Sequence, residues 1–144
     1  MSNPIVRFAE TGALGLIKIG MDYEAVLEIA GESDGDTGAV GGGGLVIHSF
    51  EDVQLGFTGG GVLCYLAIEP RGLQTFLPAF AGKSGIVKTP RQDELINYLS
   101  SLGEEIERCE PFVSGEFWWK VKRTGVLMSF NDADGMLEAI NISL

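Results

Sequence analysis

Residues 15–31, GLIKIGMDYEAVLEIAG, come back in the second half of the chain as residues 85–103, GIVKTPRQDELINYLSSLG. Laid over each other, Gly15 falls on Gly85, Lys18 on Lys88, Glu24 on Glu94, and Ala25-Val26 on Leu95-Ile96. The match continues downstream: 45–50 falls on 118–123, 53–57 on 126–130 and 61–63 on 135–137, with Leu66 on Ile140 and Ile68 on Ile142. It keeps residue character more than identity, and it keeps one order throughout. Self-similarity at a long period is the strongest constraint a sequence places on architecture. Here it predicts an α+β fold of two tandem repeats, each a helix followed by an antiparallel three- or four-stranded meander.

The chain has 144 residues, enough for one domain. Each half alone is near the lower size limit for a stable core, so the repeats, about 8–70 and 78–144, are expected to share a sheet or pack tightly as a single domain. A hydrophobic fraction of 45% and a mean hydropathy of +0.20 fit a packed globule. Net charge is −10, unevenly spread. Residues 1–72 hold 3 basic and 10 acidic side chains, net −7, and residues 73–144 hold 7 and 10, net −3. Such a chain repels nucleic acid and anionic lipid and suits a basic protein partner. The opening MSNPIVRFAETG lacks the basic and apolar regions of a secretion signal. With no apolar run of about 20 residues either, a cytoplasmic protein is expected, with Cys64 and Cys109 as reduced thiols.

Read in order, Ile5-Val6-Arg7-Phe8 suggests an extended lead-in. Asp22 suits the N-cap of the first helix, whose Val26, Ile29 and Ala30 share a face, and Gly31 suits its end. Residues 31–44, rich in glycine and acid, read as a long turn with weak order near Gly41 to Gly44. Strands follow at about 45–50, 53–58 and 62–69. Alternation places Val53, Leu55, Phe57, Val62, Cys64, Leu66 and Ile68 inward, against Gln54, Thr58, Leu63, Tyr65 and Ala67 on the open face. Residues 70–83 link the halves and carry enough apolar side chains, Leu73, Phe76, Leu77 and Phe80, to pack down. The second helix takes Pro90 in its first turn, buries Leu95, Ile96, Leu99 and Leu102, and stops at Gly103. Strands near 116–123, 126–131 and 136–143 complete the chain, with Phe117, Trp119 and Val121 inward and Trp118, Lys120 and Lys122 on the open face.

No catalytic motif survives inspection. Gly82-Lys83-Ser84 lacks the earlier glycine of a phosphate loop, since position 77 is Leu77. Asn131-Asp132-Ala133-Asp134-Gly135 lacks the flanking carboxylates of a calcium loop and reads as a hairpin turn. His48 is the only histidine and reads as structural; no metal-ligand spacing involves it, and Ser49 beside it has no orienting group. Trp118 is the exception, because alternation puts this large aromatic on the face opposite the core, and aromatic residues anchor interfaces.

The phrase Lys18-Ile19-Gly20-Met21-Asp22, with Glu24 and Val26, a helix ending in glycine and a later hairpin, resembles the helix-plus-sheet repeat of the β-lactamase-inhibitory-protein-like fold. In tandem and acidic form, the chain is similar to bacterial immunity proteins of polymorphic or contact-dependent toxin systems. That resemblance implies a protein that binds a basic cognate toxin and blocks its active site, and it transfers no catalytic residue. The partner-binding residues expected are Glu32, Asp34 and Asp36, then Tyr65 and Trp118, with no cofactor and no metal. The alternative is a small-molecule-binding module or enzyme using a cleft between the repeats.

Overall fold

The structure, a computed structural model, describes residues 3–40, 45–81 and 85–144, with the backbone alone at 36–40. The glycines at 41–44 and the Gly82-Lys83-Ser84 turn thus lie outside the described residues. Among the described residues three α-helices, Pro4–Thr11 (α1), Tyr23–Ala30 (α2) and Gln92–Ser101 (α3), accompany ten strands. These are Gly35–Val40 (β1), Leu45–Phe50 (β2), Val53–Phe57 (β3), Leu63–Ile68 (β4), Gln74–Phe76 (β5), Ile86–Lys88 (β6), Ile106–Cys109 (β7), Trp118–Val121 (β8), Leu127–Phe130 (β9) and Leu137–Ser143 (β10). Eight strands make one sheet in the order β1-β2-β3-β4-β10-β9-β8-β7, and β5 and β6 make a second, small one. All neighbours are antiparallel. This is the antiparallel α+β class expected from the sequence.

The first four strands and the last four each run, in chain order, from an edge of the sheet to its centre. They meet where Ile68, Ala67, Leu66 and Tyr65 of β4 pair with Ile140, Asn141, Ile142 and Ser143 of β10. Two pairs of hydrogen bonds tie the start of a helix to the turn before the last strand of its half. Tyr23 N–H donates to the Gly61 carbonyl and Gln92 N–H to the Gly135 carbonyl, both at 2.7 Å. Leu63 N–H donates to Met21 at 2.8 Å and Leu137 N–H to Pro90 at 3.0 Å. Gly61 and Gly135 both adopt positive φ, 81° and 75°, the region that favours glycine.

Tyr23 and Gln92 thus make the same bond, one residue out of step with the sequence match. Val26, three residues after Tyr23, is 2% exposed, and Leu95, three residues after Gln92, is 1% exposed. Matching the two glutamates put identical letters together, whereas the fold puts buried side chains together. The strand matches Val53 with Val126 and Leu55 with Met128 coincide with full burial at all four positions. The match of 45–50 slips by two, because Phe50 pairs with Val53 across a two-residue turn, while Val121 N–H reaches Val126 across four residues.

A bulge corrects the expected alternation in β4. Gly56 pairs with Tyr65 and Phe57 with Leu63, so the ladder skips Cys64. The extra residue turns the strand by one position, and Leu63, expected on the open face, is fully buried in the core. The same irregularity recurs in β10, where Ser129 pairs with Ala139 and Phe130 with Leu137.

Several further expectations are overturned. The lead-in is helical: Asn3 caps α1 by accepting the Ile5 N–H at 2.8 Å, Pro4 takes the first turn, and Gly12 closes the end at φ 77°. Its Ile5, Val6, Phe8 and Ala9 are buried, an apolar face at helical spacing that overrides the β-branched pair. The 31–44 turn contains β1, which pairs with β2 around a bulge between Asp36 and Ala39. In the 70–83 segment, Leu77 is buried and Phe80 packs edge-on against Phe50 at 5.3 Å, but Leu73 and Phe76 are exposed. Pro90 precedes the N-cap Arg91 rather than entering α3, and Leu102 is an exposed C-cap.

Candidate functional site

The first half encloses a pocket beneath α2. Asp22 starts the helix by accepting the Ala25 N–H at 2.8 Å, and Gly31 ends it at φ 73° with its N–H on Leu27. That capping holds Tyr23, Val26, Leu27 and Ala30 over the sheet, one helical face at i, i+3, i+4 and i+7. From below, β2 and β3 present His48, Phe50, Leu55 and Phe57, and Glu32 and Ser33 close one side. The cavity has a volume of about 410 Å³, within the range of sites for small ligands or single side chains.

Three rings form one wall. Tyr23 and Phe57 meet edge to face at 5.1 Å, His48 and Phe57 do the same at 5.6 Å, and Tyr23 and His48 are tilted at 5.7 Å. These are favourable aromatic geometries. Ser33 Oγ lies 3.4 Å from His48 Nδ1, a long hydrogen bond whose donor depends on the imidazole tautomer. Glu32 lines the opening and is exposed. Glu24 and Glu28, also exposed, lie on the side of α2 turned away from its pocket-lining face, at 100° per residue. Asp34 braces the side: its Oδ2 accepts the Glu51 N–H at 2.7 Å, and its N–H donates to Ser49 at 2.8 Å. The result is an aromatic hollow with one carboxylate, Glu32, at its mouth.

The second half builds the corresponding region differently. Trp119 pairs with Met128 as His48 pairs with Leu55, and Leu55 and Met128 are both fully buried. Trp119 thus stands at the ladder position of His48. The residue in register with Trp119 is Arg108, whose guanidinium sits 5.2 Å from the Trp119 ring and 4.9 Å from Phe117. The residue in register with His48 is Asp36.

The five expected binding residues are therefore divided. Glu32 lines the pocket, Asp34 supports its flank, and Asp36 lies in register with His48, its side chain outside the described residues. Tyr65 lies on the opposite face of the sheet, half-buried, paired with Gly56 and Ser143. Burial, and the nearby Glu69, push its phenol above the ordinary pKa. Trp118 also faces that side but is not the exposed anchor expected. It is 9% exposed, because Phe112 packs edge-on against it at 5.2 Å, and its indole N–H donates to Glu116 at 2.9 Å. The loop before β8 folds back over the strand, and alternation alone cannot register that cover.

His48, Tyr23 and Phe57 were missed as site residues. The signal was present in the only histidine sharing a strand face with the apolar residues of β2, but a lone histidine carries no spacing pattern. Among the described residues no three His, Cys, Asp or Glu side chains are grouped to hold a metal. Asn131 forms the expected turn, its side chain accepting from Ala133 at 2.8 Å and Asp134 at 3.2 Å. No helix among the described residues is long and apolar enough to cross a membrane. No family model, no curated protein and no solved structure matches the chain.

Proposed function

We propose that this chain is an acidic, non-enzymatic inhibitor that binds a basic protein, in the manner of a bacterial immunity protein that blocks its cognate toxin. One observation carries the reading: in the more acidic half, the pocket under α2 joins an aromatic wall to the exposed carboxylate of Glu32. Acidic surfaces steer basic partners and raise association rates, while a concave aromatic centre supplies the desolvated anchor. The partner surface centres on Glu32, with Asp34 and Asp36 in the same stretch of chain. The same charge argues against polyanions such as nucleic acid or anionic membranes as direct partners. We also read the two halves as copies of one unit; the paired helix-start bonds and the paired bulges support this.

The test uses the product of any toxin-like gene beside this one. Glu32→Lys should slow association severalfold at low salt and flatten its salt dependence. The inhibition reading fails if the neighbouring product does not bind, or if it binds without loss of its activity. A small-molecule role would use this same pocket rather than a cleft between halves, since β4 and β10 join the halves edge to edge.

A further inference from the structure

We infer that the pocket under α2 receives a single cationic side chain, a guanidinium above all, from the partner. This rests on the inhibitor reading for its source but not for its chemistry. The chemistry comes from the comparison of halves. In the second half the aromatic at the Trp119 position is already covered by a cation, Arg108, which is placed there by cross-strand register. In the first half the equivalent aromatic is His48, its register partner is the acidic Asp36, and the space over the rings is a cavity of about 410 Å³. Among the described residues no lysine or arginine lines that cavity.

A guanidinium is planar and weakly hydrated, so it stacks on rings more readily than an ammonium does. The Tyr23, His48 and Phe57 wall offers the π surface, and Glu32 at the opening offers a carboxylate to pair with the incoming charge. Leu27 and Ala30 line the helix side and suit the methylene stem of an arginine. A neutral ligand gains the apolar contacts but neither of the charged ones.

The experiment titrates the isolated full chain with N-acetyl-arginine methylamide, its lysine analogue and its neutral citrulline analogue, following His48 and Tyr23 ring resonances by NMR. Saturable shifts at both rings with the arginine probe are expected. Binding should be weaker with the lysine probe and about tenfold or more weaker with citrulline. Ala30→Leu, which fills the pocket from a helical position, should abolish the arginine shifts with the fold intact by circular dichroism. Glu32→Gln should weaken them without loss of fold. No saturable shift with arginine, equal binding of citrulline, or shifts that persist in the Ala30→Leu variant each overturn the assignment. If the arginine probe binds and no basic protein does, the inhibitor reading fails and the pocket stands. If a basic protein binds wild type and Ala30→Leu equally, the reverse holds.

Discussion

Gly15 and Gly85 head the two copies of the sequence match, yet their surroundings predict opposite responses to a single methyl group. At Gly15, φ is 62° and a Cβ would lie 2.0 Å from the carbonyl oxygen of Phe80. The left-handed conformation costs alanine about 1–2 kcal/mol. The overlap adds more, because its partner is backbone in the short 3-10 turn Ala79–Ala81 and no rotamer change relieves it. Overpacking of this kind typically costs about 1–3 kcal/mol, so Gly15→Ala should lose about 2–5 kcal/mol in total. Gly20 is the control for conformation alone: φ is 94° and nothing lies within 4 Å of its Cβ position. Gly20→Ala should lose about 1–2 kcal/mol. Gly85 needs no positive φ, and its nearest neighbour, the Leu77 carbonyl, is at 3.7 Å. Gly85→Ala should lie within about 0.5 kcal/mol of wild type. Urea denaturation of the three variants, compared at constant slope, measures all of this. For a domain whose total stability is of the order of 5–15 kcal/mol, the first loss is large enough to lower the melting temperature by about 4–20 °C. A Gly15→Ala loss no larger than that of Gly20→Ala would show that α1's exit loop does not press on the linker backbone, and would refute the packing described.

Three other perturbations probe separate parts of the fold. The hydroxyls of Thr75 in β5 and Thr89 just after β6, both buried, share a 2.7 Å hydrogen bond. Thr75→Val should cost about 1–3 kcal/mol by stranding Thr89, and adding Thr89→Val should recover part of it; a strictly additive double mutant in a denaturation cycle would count against the pair. Arg123 donates to Glu104 at 3.1 and 3.2 Å and to the Glu10 carbonyl at 2.8 Å, tying α1 to the second half. The hydrogen bond from Arg123 holds the Glu104 carboxyl below its usual pKa. Its stabilisation is therefore present above the ordinary carboxylate range and lost as pH falls through the depressed value. Melting of wild type and Glu104→Gln should converge as pH drops, and a gap unchanged between neutral and acidic pH would exclude the linkage. Arg71 Nε lies 2.9 Å from Asp52 Oδ1, an ion pair whose N–H is not aligned for a hydrogen bond. Because Asp52 is 4% exposed, Arg71→Ala should destabilise more at neutral pH than Arg7→Ala, whose partner Glu10 is 3.9 Å away at the surface; equal melting temperatures would argue otherwise.

The strands and the α2 caps were legible because their causes are local. Alternation marks Val53, Leu55 and Phe57 as inward, and Asp22 and Gly31 bracket a helix by side-chain and φ requirements that hold anywhere. The Asn3-Pro4 start and Gly12 stop of α1 were equally local but were overshadowed by the β-branched Ile5-Val6. What stayed hidden depends on distant partners. The Cys64 bulge exists only relative to β3, so Leu63 changed face without any change in its own surroundings. Trp118 is covered by Phe112, reached through a loop whose path no periodicity encodes. β1 looks like loop because glycine and aspartate disfavour strands, and it forms because β2 offers an edge. The acidic residues of the candidate site were found through charge, which composition carries. Its rings were not, since Tyr23, His48 and Phe57 come from three elements that meet only after folding.

The seam between β4 and β10 also bears on how the chain is made. Its two strands are the last of their respective halves, so the central pairing of the sheet is the one that must wait longest during synthesis. Until β10 emerges, β4 presents a bare edge of Leu66, Ala67 and Ile68, the sort of edge that recruits foreign strands. A ribosome paused before residue 137 would therefore hold a half-sheet with its stickiest border open. Crowded nascent chains of this protein should cross-pair there first.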